Sequence, residues 1–249
     1  MLNPQPEISV IIPAYNEENR IKPTLDSYNA YLKQNYNKYQ IIVISDGSTD
    51  KTCEIVNNFS KEEDSIQLVD LVFNRGKGFA VRTGMLHGKG KRLIFADADG
   101  ASPIEELARL EQAINEGADV AIGSRAKISK ETKIKTALHR KVIGRIFNGL
   151  VNFLAVPHIE DTQCGFKLFT NEACKLVFSK QLSTGFSFDV EILMIAQRTG
   201  LKISEVPINW VNVPGSKVNL VTDSIKMFID IIKFRYWHHN LNPENLKNI

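Results

Sequence analysis

Two carboxylates close the apolar run Leu93-Ile-Phe-Ala96: Asp97 and Asp99, two residues apart and followed by Gly100. At that spacing on a turn both can reach one small space. Hard oxygen donors there suit Mg²⁺ or Mn²⁺, ions that usually keep several waters and a phosphate partner. The same pair could also be two solvated turn aspartates. Leu93, Ile94 and Phe95 read as a buried strand, while Ser102, Pro103 and Glu105 have the cap, first-turn proline and N3 glutamate of a helix start. The two aspartates are therefore expected at the carboxyl end of a strand, with a helix directly after them.

Other residues able to do chemistry follow similar runs. Tyr15 comes after Glu7–Pro13, Asp46 after Tyr39–Ile44, and Arg125 after Ala118–Ser124. The segments between these runs read as helices: about Glu17 to Lys33 with Asn16 as N-cap, another ending near Ser60, one opened by Asn74-Arg-Gly-Lys-Gly78 and ending near His87, and Ser102 to Glu116. Ile66 to Phe73 reads as a strand. Alternation of this kind predicts an α/β fold, an open, mainly parallel sheet with helices on both faces and ligands at the carboxyl ends of the strands. Tyr15, Asp46, Asp97, Asp99 and Arg125 can then share one rim. A dinucleotide-binding dehydrogenase fits less well, because Gly76-Lys-Gly78 lacks the third glycine and no acid follows at the expected distance.

Beyond residue 125 the pattern changes. Arg125, Lys127, Lys130, Lys133, Lys135, Arg140, Lys141 and Arg145 crowd a stretch whose single acid is Glu131, and it runs into the apolar-striped segment Ile146 to Leu154. A basic loop feeding an amphipathic helix suits a membrane surface or a lipid phosphate, and equally a solvated charged face. Glu160 to Lys167 has turn character, Asn171 to Phe178 reads as a short helix, and Phe186-Ser-Phe-Asp189 caps a helix through Gln197. Glu205 to Trp210 reads as a strand and Val213 to Lys217 as a loop. Thr222 to Trp237 reads as an amphipathic helix that packs on the sheet or rests on a membrane.

The 249 residues, 43% hydrophobic, fit a single domain with a sizeable core. A formal net charge of +3 is too small to argue for nucleic acid, and no basic-aromatic RNA-binding signature is present. Cys53, Cys164 and Cys174 are odd in number and lack metal-ligand spacing, which favours a reducing, cytoplasmic compartment. No apolar run approaches the ~20 residues that span a bilayer, so the chain is expected to be soluble or peripheral.

Taken together, the motifs Val10-Ile-Ile-Pro-Ala-Tyr-Asn-Glu17, Ser45-Asp-Gly-Ser48, Asn74-Arg-Gly-Lys-Gly78, Asp97-Ala-Asp99, Gly123-Ser-Arg125 and Asp161-Thr-Gln-Cys-Gly-Phe-Lys167 resemble, in order and spacing, the family 2 inverting glycosyltransferases of GT-A fold. Phe188-Asp-Val-Glu-Ile-Leu193 and Asn209-Trp210 with Gly215-Ser-Lys217 make the dolichyl-phosphate β-glucosyltransferases, among the polyprenyl-phosphate sugar synthases, the most similar group. The resemblance spans about Ile8 to Tyr236. It departs at Ser45, where the family usually has a second aspartate. Ala101 and Asn212 stand near places where mannosyl-transferring relatives carry glutamine and arginine, which disfavours GDP-mannose. The N-terminal membrane helix of eukaryotic glucosyl relatives is expected to be absent, making a bacterial-type polyprenyl phosphate an acceptor.

The resemblance implies glucose transfer from UDP-glucose to a polyprenyl phosphate with Mg²⁺ or Mn²⁺, peripheral to the inner face of the cytoplasmic membrane, with a partner membrane protein or a homo-oligomer possible. Residues 8–124 would hold the nucleotide sugar and 125–240 the acceptor. Pro13, Ala14, Tyr15, Glu17 and Asp46 would form the base and ribose pocket; Asp97, Ala98 and Asp99 the metal and diphosphate turn, with Asp99 the principal metal ligand. Lys77 and Lys217 would add positive charge. Arg125 and Arg140 would bind the acceptor phosphate, since a guanidinium fork matches phosphate and stays charged. Catalysis would rest on Asp97, Asp99, Arg125 and Asp161. A saccharide acceptor would instead need a carboxylate base, with Asp161 or Asp189 as candidates. A nucleotide-sugar-binding module without turnover is the remaining alternative.

Overall fold

A computed structural model describes residues 5–127, 134–135, 155–213 and 220–243. The chain opens with β1 (Ile8–Ala14), α1 (Ile21–Asn35), β2 (Tyr39–Ser45), α2 (Thr52–Glu62), β3 (Ile66–Asp70), α3 (Lys77–His87) and β4 (Arg92–Ala96). A short 3₁₀ turn (Ile104–Glu106) leads into α4 (Leu107–Asn115), followed by β5 (Val120–Ser124) and β6 (Ile134–Lys135). The remainder is β7 (Phe166–Thr170), α5 (Asn171–Lys180), α6 (Phe188–Arg198), β8 (Ile203–Pro207), β9 (Trp210–Val211) and α7 (Leu220–Trp237).

The main sheet runs β3-β2-β1-β4-β7-β5-β8. All neighbours are parallel except β7, which is antiparallel to both β4 and β5. Apolar residues alternate between its two faces, as the two-residue period of a strand requires. Ile11, Ile42, Ile44, Leu93 and Phe95 face the core that α3, α5, α6 and α7 cover. Val10, Ile12, Ile41, Val43 and Ile94 face the opposite core under α1, α2 and α4. Pro13 is tolerated inside β1 for a geometric reason. The Ala14 carbonyl accepts from Asp46 on the β2 side, so the donor that Pro13 lacks would face β4, whose pairing with β1 has already ended at Ile11 and Phe95.

Several local expectations are corrected. Asn16 does not cap α1: it sits at φ 51°, its side chain accepts from the Thr49 N–H, and the helix begins only at Ile21. Ser102 is likewise not a cap, because the chain passes through the 3₁₀ turn before α4 starts. β3 ends at Asp70, leaving Phe73 outside the strand and exposed. Most consequentially, the Asp161–Lys167 motif keeps its turn character only to Gly165, and its last two residues, Phe166 and Lys167, are strand. Phe166 to Thr170 forms β7 at the middle of the sheet. Nearly all the basic stretch after Lys127 and the helix expected through Leu154 lie outside the described residues.

Candidate active site

The rim expected from the sequence exists. The loops after β1, β2 and β4 leave neighbouring strands at their carboxyl ends, and hydrogen bonds stitch them together. Asn16 N–H donates to Ser48 Oγ (3.1 Å) and Glu17 N–H to Thr52 Oγ1 (2.8 Å). Asp46 is buried and accepts from the loop beside it, Oδ1 from Arg75 N–H (2.7 Å) and Oδ2 from Gly76 N–H (2.9 Å). Ser45 points the other way, fully buried, where its hydroxyl accepts from Cys53 Sγ at 3.1 Å. The missing acid is thus a buried position under α2 rather than a gap on the rim.

The Asp97–Asp99 turn is held from three sides. Thr24 Oγ1 of α1 donates to the Ala98 carbonyl at 2.9 Å, Asp97 N–H donates to the Gly165 carbonyl at 3.1 Å, and Ala101 N–H donates to Asp99 Oδ1 at 3.0 Å. Lys77, the first residue of α3, brings Nζ to 2.6 Å from Asp97 Oδ1. Burial, then repulsion from Asp97, lifts the Asp99 carboxyl above the usual carboxylate range, against the Ala101 N–H, Arg20 and Lys77. For Lys77, burial acts to lower the ammonium pKa, but Asp97, Asp189 and Asp99 outweigh it and the net shift is upward. Gly165 leaves the room this carboxylate occupies: a Cβ at that position would lie 2.2 Å from Asp97 Oδ2, and the Asp97 side chain would have to move.

Arg125 and Asp161 form the third part. Arg125 Nε donates to Asp161 Oδ2 (2.7 Å) and Nη2 to Oδ1 (2.8 Å), and the Arg125 backbone N–H adds a third bond to Oδ2 (2.9 Å). Burial would raise the Asp161 pKa, yet the Arg125 charge and hydrogen bonds prevail and hold it below the usual range. A carboxylate so engaged is a poor proton acceptor. The guanidinium lies 5.5 Å from the centre of the Trp210 ring, a cation–π distance.

Among the other predicted site residues, Pro13 and Ala14 are buried at the end of β1 and Tyr15 is exposed. Glu17 grips Arg20 in a two-point ion pair (Nε–Oε2 2.6 Å, Nη2–Oε1 2.7 Å). Asp189 does not cap α6: it is buried against Lys167, which also donates to the Cys164 carbonyl at 2.7 Å. Arg140 and Lys217 lie outside the described residues.

Sequence reasoning missed three contributors. Arg20 feels Asp99 and Asp97 electrostatically, after its own burial and Glu17. The Lys167 ammonium is fully buried 5.3 Å from the Phe95 ring centre. Glu205 accepts from Ser124 Oγ (2.7 Å), Asp161 N–H (2.8 Å) and Glu160 N–H (3.0 Å), fixing the loop that presents Asp161. The spacing Glu17-x-x-Arg20, three apart, carried a signal for Arg20, and the Asp161–Lys167 motif contained Lys167 without showing its partner.

Residues 9–178 match the family described as glycosyl transferase family 2. The chain belongs to glycosyl transferase family 2. It is a glycosyltransferase, and relatives agree over nearly its whole length. It is 40% identical over 241 residues to a dolichyl-phosphate beta-glucosyltransferase of Trichomonas vaginalis, covering 93% of this chain and 73% of the relative. To the dolichyl-phosphate beta-glucosyltransferase of Saccharomyces cerevisiae it is 40% identical over 246 residues, covering 92% and 74%. Among solved structures, glucosyl-3-phosphoglycerate synthase from Mycobacterium tuberculosis in complex with Mn²⁺ and UDP-glucose superposes with a TM-score of 0.68 at 18% identity, covering 93% of this chain and 79% of that one. The likeness places the fold among GT-A glycosyltransferases. In family 2 terms, the rim built by β1, β2, β4 and β5 is where the motifs named from the sequence converge.

Proposed function

We propose that the protein transfers glucose from UDP-glucose to a polyprenyl, dolichyl-type phosphate, with inversion and with a divalent cation, while peripheral to the inner face of the cytoplasmic membrane. The observation that carries this reading is the state of Asp161: every oxygen is committed to Arg125, so the acceptor side offers a cation and no base. A lipid monophosphate is already ionised near pH 7 and needs a cation. A sugar hydroxyl would need a base, and Asp189, buried against Lys167, is badly placed to be one.

The other parts fit the same reaction. Asp97 and Asp99 form a two-carboxylate oxygen set that suits Mg²⁺ or Mn²⁺. Burial, and after it repulsion from Asp97, lifts the Asp99 pKa, and a cation held between the two carboxylates would oppose both. When bound, the ion neutralises the departing diphosphate. Lys77 and Arg20 supply fixed positive charge beside it, and Lys217 would add to this. Asp46 shapes the Arg75–Gly76 backbone and keeps lone pairs able to accept from uracil N3–H, with Pro13, Ala14, Tyr15 and Glu17 completing the donor pocket. Arg125, joined by Arg140, would hold the acceptor phosphate in line with C1. The division into a donor half up to Ser124 and an acceptor half after it follows from these roles.

The test is incubation of the pure protein with Mn²⁺ or Mg²⁺, polyprenyl phosphate, and UDP-glucose or GDP-mannose in parallel, with mass spectrometry of the organic extract. A hexosyl phospholipid from UDP-glucose and not from GDP-mannose is expected. Consumption of UDP-glucose with saccharide acceptors and no lipid product would overturn the acceptor assignment.

A further inference from the structure

Past β8 the chain crosses the rim, from the strand that Arg125 follows to the turn that carries Asp99. β8 ends at Pro207, paired with Ser124. Ile208 N–H then donates to the Ser124 carbonyl at 3.2 Å, and Val211 N–H donates to the Ala101 carbonyl at 3.0 Å. Ala101 is the residue whose own N–H donates to Asp99 Oδ1 at 3.0 Å. Between these ends Asn209 Nδ2 donates to Glu106 Oε1 at 2.5 Å. The segment is a short bridge, fastened beside Arg125 at one end and beside the carboxylate turn at the other. Trp210 stands on it. Ile208 is fully buried, whereas Trp210 keeps part of its surface exposed.

What Trp210 touches defines what it can recognise. The Arg125 guanidinium lies over its ring at 5.5 Å from the centre, and the two bonds to Asp161 fix that guanidinium in its own plane. Arg125 is thus restrained by a carboxylate at its edge and by an aromatic face. Its side chain still keeps 31% of its surface exposed. The result is a partly accessible cation with an apolar, partly accessible ring directly beside it. A phosphate group is satisfied by the cation alone. A hydrophilic phosphate ester gains nothing from the ring, whereas an ester whose first carbons are branched hydrocarbon buries them against it.

From this we infer that Trp210 determines specificity for the hydrocarbon part of the acceptor: its indole ring carries the first isoprene unit of a prenyl phosphate whose phosphate meets Arg125. The inference rests on the lipid-phosphate reading of the acceptor and deepens it, from the charge of the head group to the chain attached to it. Attack on C1 in line with the departing diphosphate puts the ester carbons of the acceptor on the far side of its phosphate from the sugar. They are then within reach of whatever flanks Arg125, and the aromatic ring that flanks it is Trp210.

The probes are citronellyl phosphate, a short water-soluble prenyl-type phosphate, and glycerol 3-phosphate, which has the phosphate without the hydrocarbon. The chain has two tryptophans, Trp210 and Trp237, so in the full-length Trp237→Phe variant the fluorescence of Trp210 reports binding without turnover. Citronellyl phosphate should shift that emission saturably to the blue, and glycerol 3-phosphate should leave its wavelength unchanged. In steady-state transfer from UDP-glucose, Trp210→Ala should raise the KM for citronellyl phosphate about tenfold and Trp210→Phe less than about threefold, the scale on which a few carbons in an apolar contact discriminate. The KM for UDP-glucose and inhibition by glycerol 3-phosphate should both stay within about threefold, which separates a lost contact with the chain from a misplaced Arg125. No blue shift with citronellyl phosphate would overturn the inference. So would a rise in the UDP-glucose KM in place of the acceptor's, which would put the hexose on the ring, or equal losses for the two phosphates, which would leave Trp210 only a support for Arg125. A blue shift with citronellyl phosphate but no transfer to any prenyl phosphate would keep the ring's role and refute the glucosyltransferase reading instead.

Discussion

Arg125 and Asp161 meet as a planar fork, Nε to Oδ2 at 2.7 Å and Nη2 to Oδ1 at 2.8 Å, and the backbone N–H of the same arginine donates to Oδ2 at 2.9 Å. Asp161 thereby orients the Arg125 guanidinium, which in the proposed function would meet the acceptor phosphate. Arg125→Lys keeps the charge and loses the fork; it is expected to lower kcat about 100-fold through misplacement. Asp161→Asn should raise the acceptor KM more than the donor KM. Steady-state kinetics with each substrate varied checks both, and a donor-side effect alone would refute the acceptor role.

Gly165 backs the Asp97 carboxylate so closely that any side chain displaces it. Gly165→Ala should leave far-UV circular dichroism unchanged yet raise the Mn²⁺ concentration for half-maximal activity about tenfold, the scale of losing support behind a metal ligand. Titration of activity and of Mn²⁺ binding by calorimetry checks this. Unchanged Mn²⁺ binding would remove Asp97 from the metal site.

Lys167 and Asp189 are a buried ion pair. Lys167→Met leaves Asp189 without its main partner and should cost about 3 kcal/mol, whereas Lys167→Met/Asp189→Leu should recover most of that. Urea unfolding of the three proteins is the measurement. Equal loss in single and double variants would mean the pair itself, and not an uncompensated charge, holds α6 to β7.

The Asp99 carboxyl is raised by burial and by Asp97. Its ionised form is disfavoured in the fold, so the stability it allows is complete below its unfolded pKa and declines as pH rises through the folded value. Conversely, a role that needs the carboxylate is lost on the acid side sooner than for an ordinary aspartate. Asp97→Asn should bring the Asp99 pKa down, as followed by carboxyl-carbon NMR. An unchanged titration would mean burial alone sets it.

How far the sequence reached depends on the range of the interactions involved. Strand and helix alternation through Ser124, the rim at the strand ends and the carboxylate turn at Asp97 were legible, because each rests on local periodicity and turn chemistry. The family motifs then located Asp46, Lys77, Arg125 and Asp161. What could not be read was partnership. Lys167 alternates into a buried face, and whether a buried lysine is possible depends on Asp189 arriving from a helix 22 residues away. Asn16 has the composition of an N-cap, but the loop after β2 competes for its side chain. Phe166–Thr170 is short and follows turn-like residues directly, and its place as a strand is settled by antiparallel pairing with β4 on one side and β5 on the other. The sequence by itself determined which groups are available and which end of the sheet they occupy. Tertiary structure alone decided that Asp161 is spoken for by Arg125, because charge state and hydrogen-bond occupancy are set by neighbours distant in the chain.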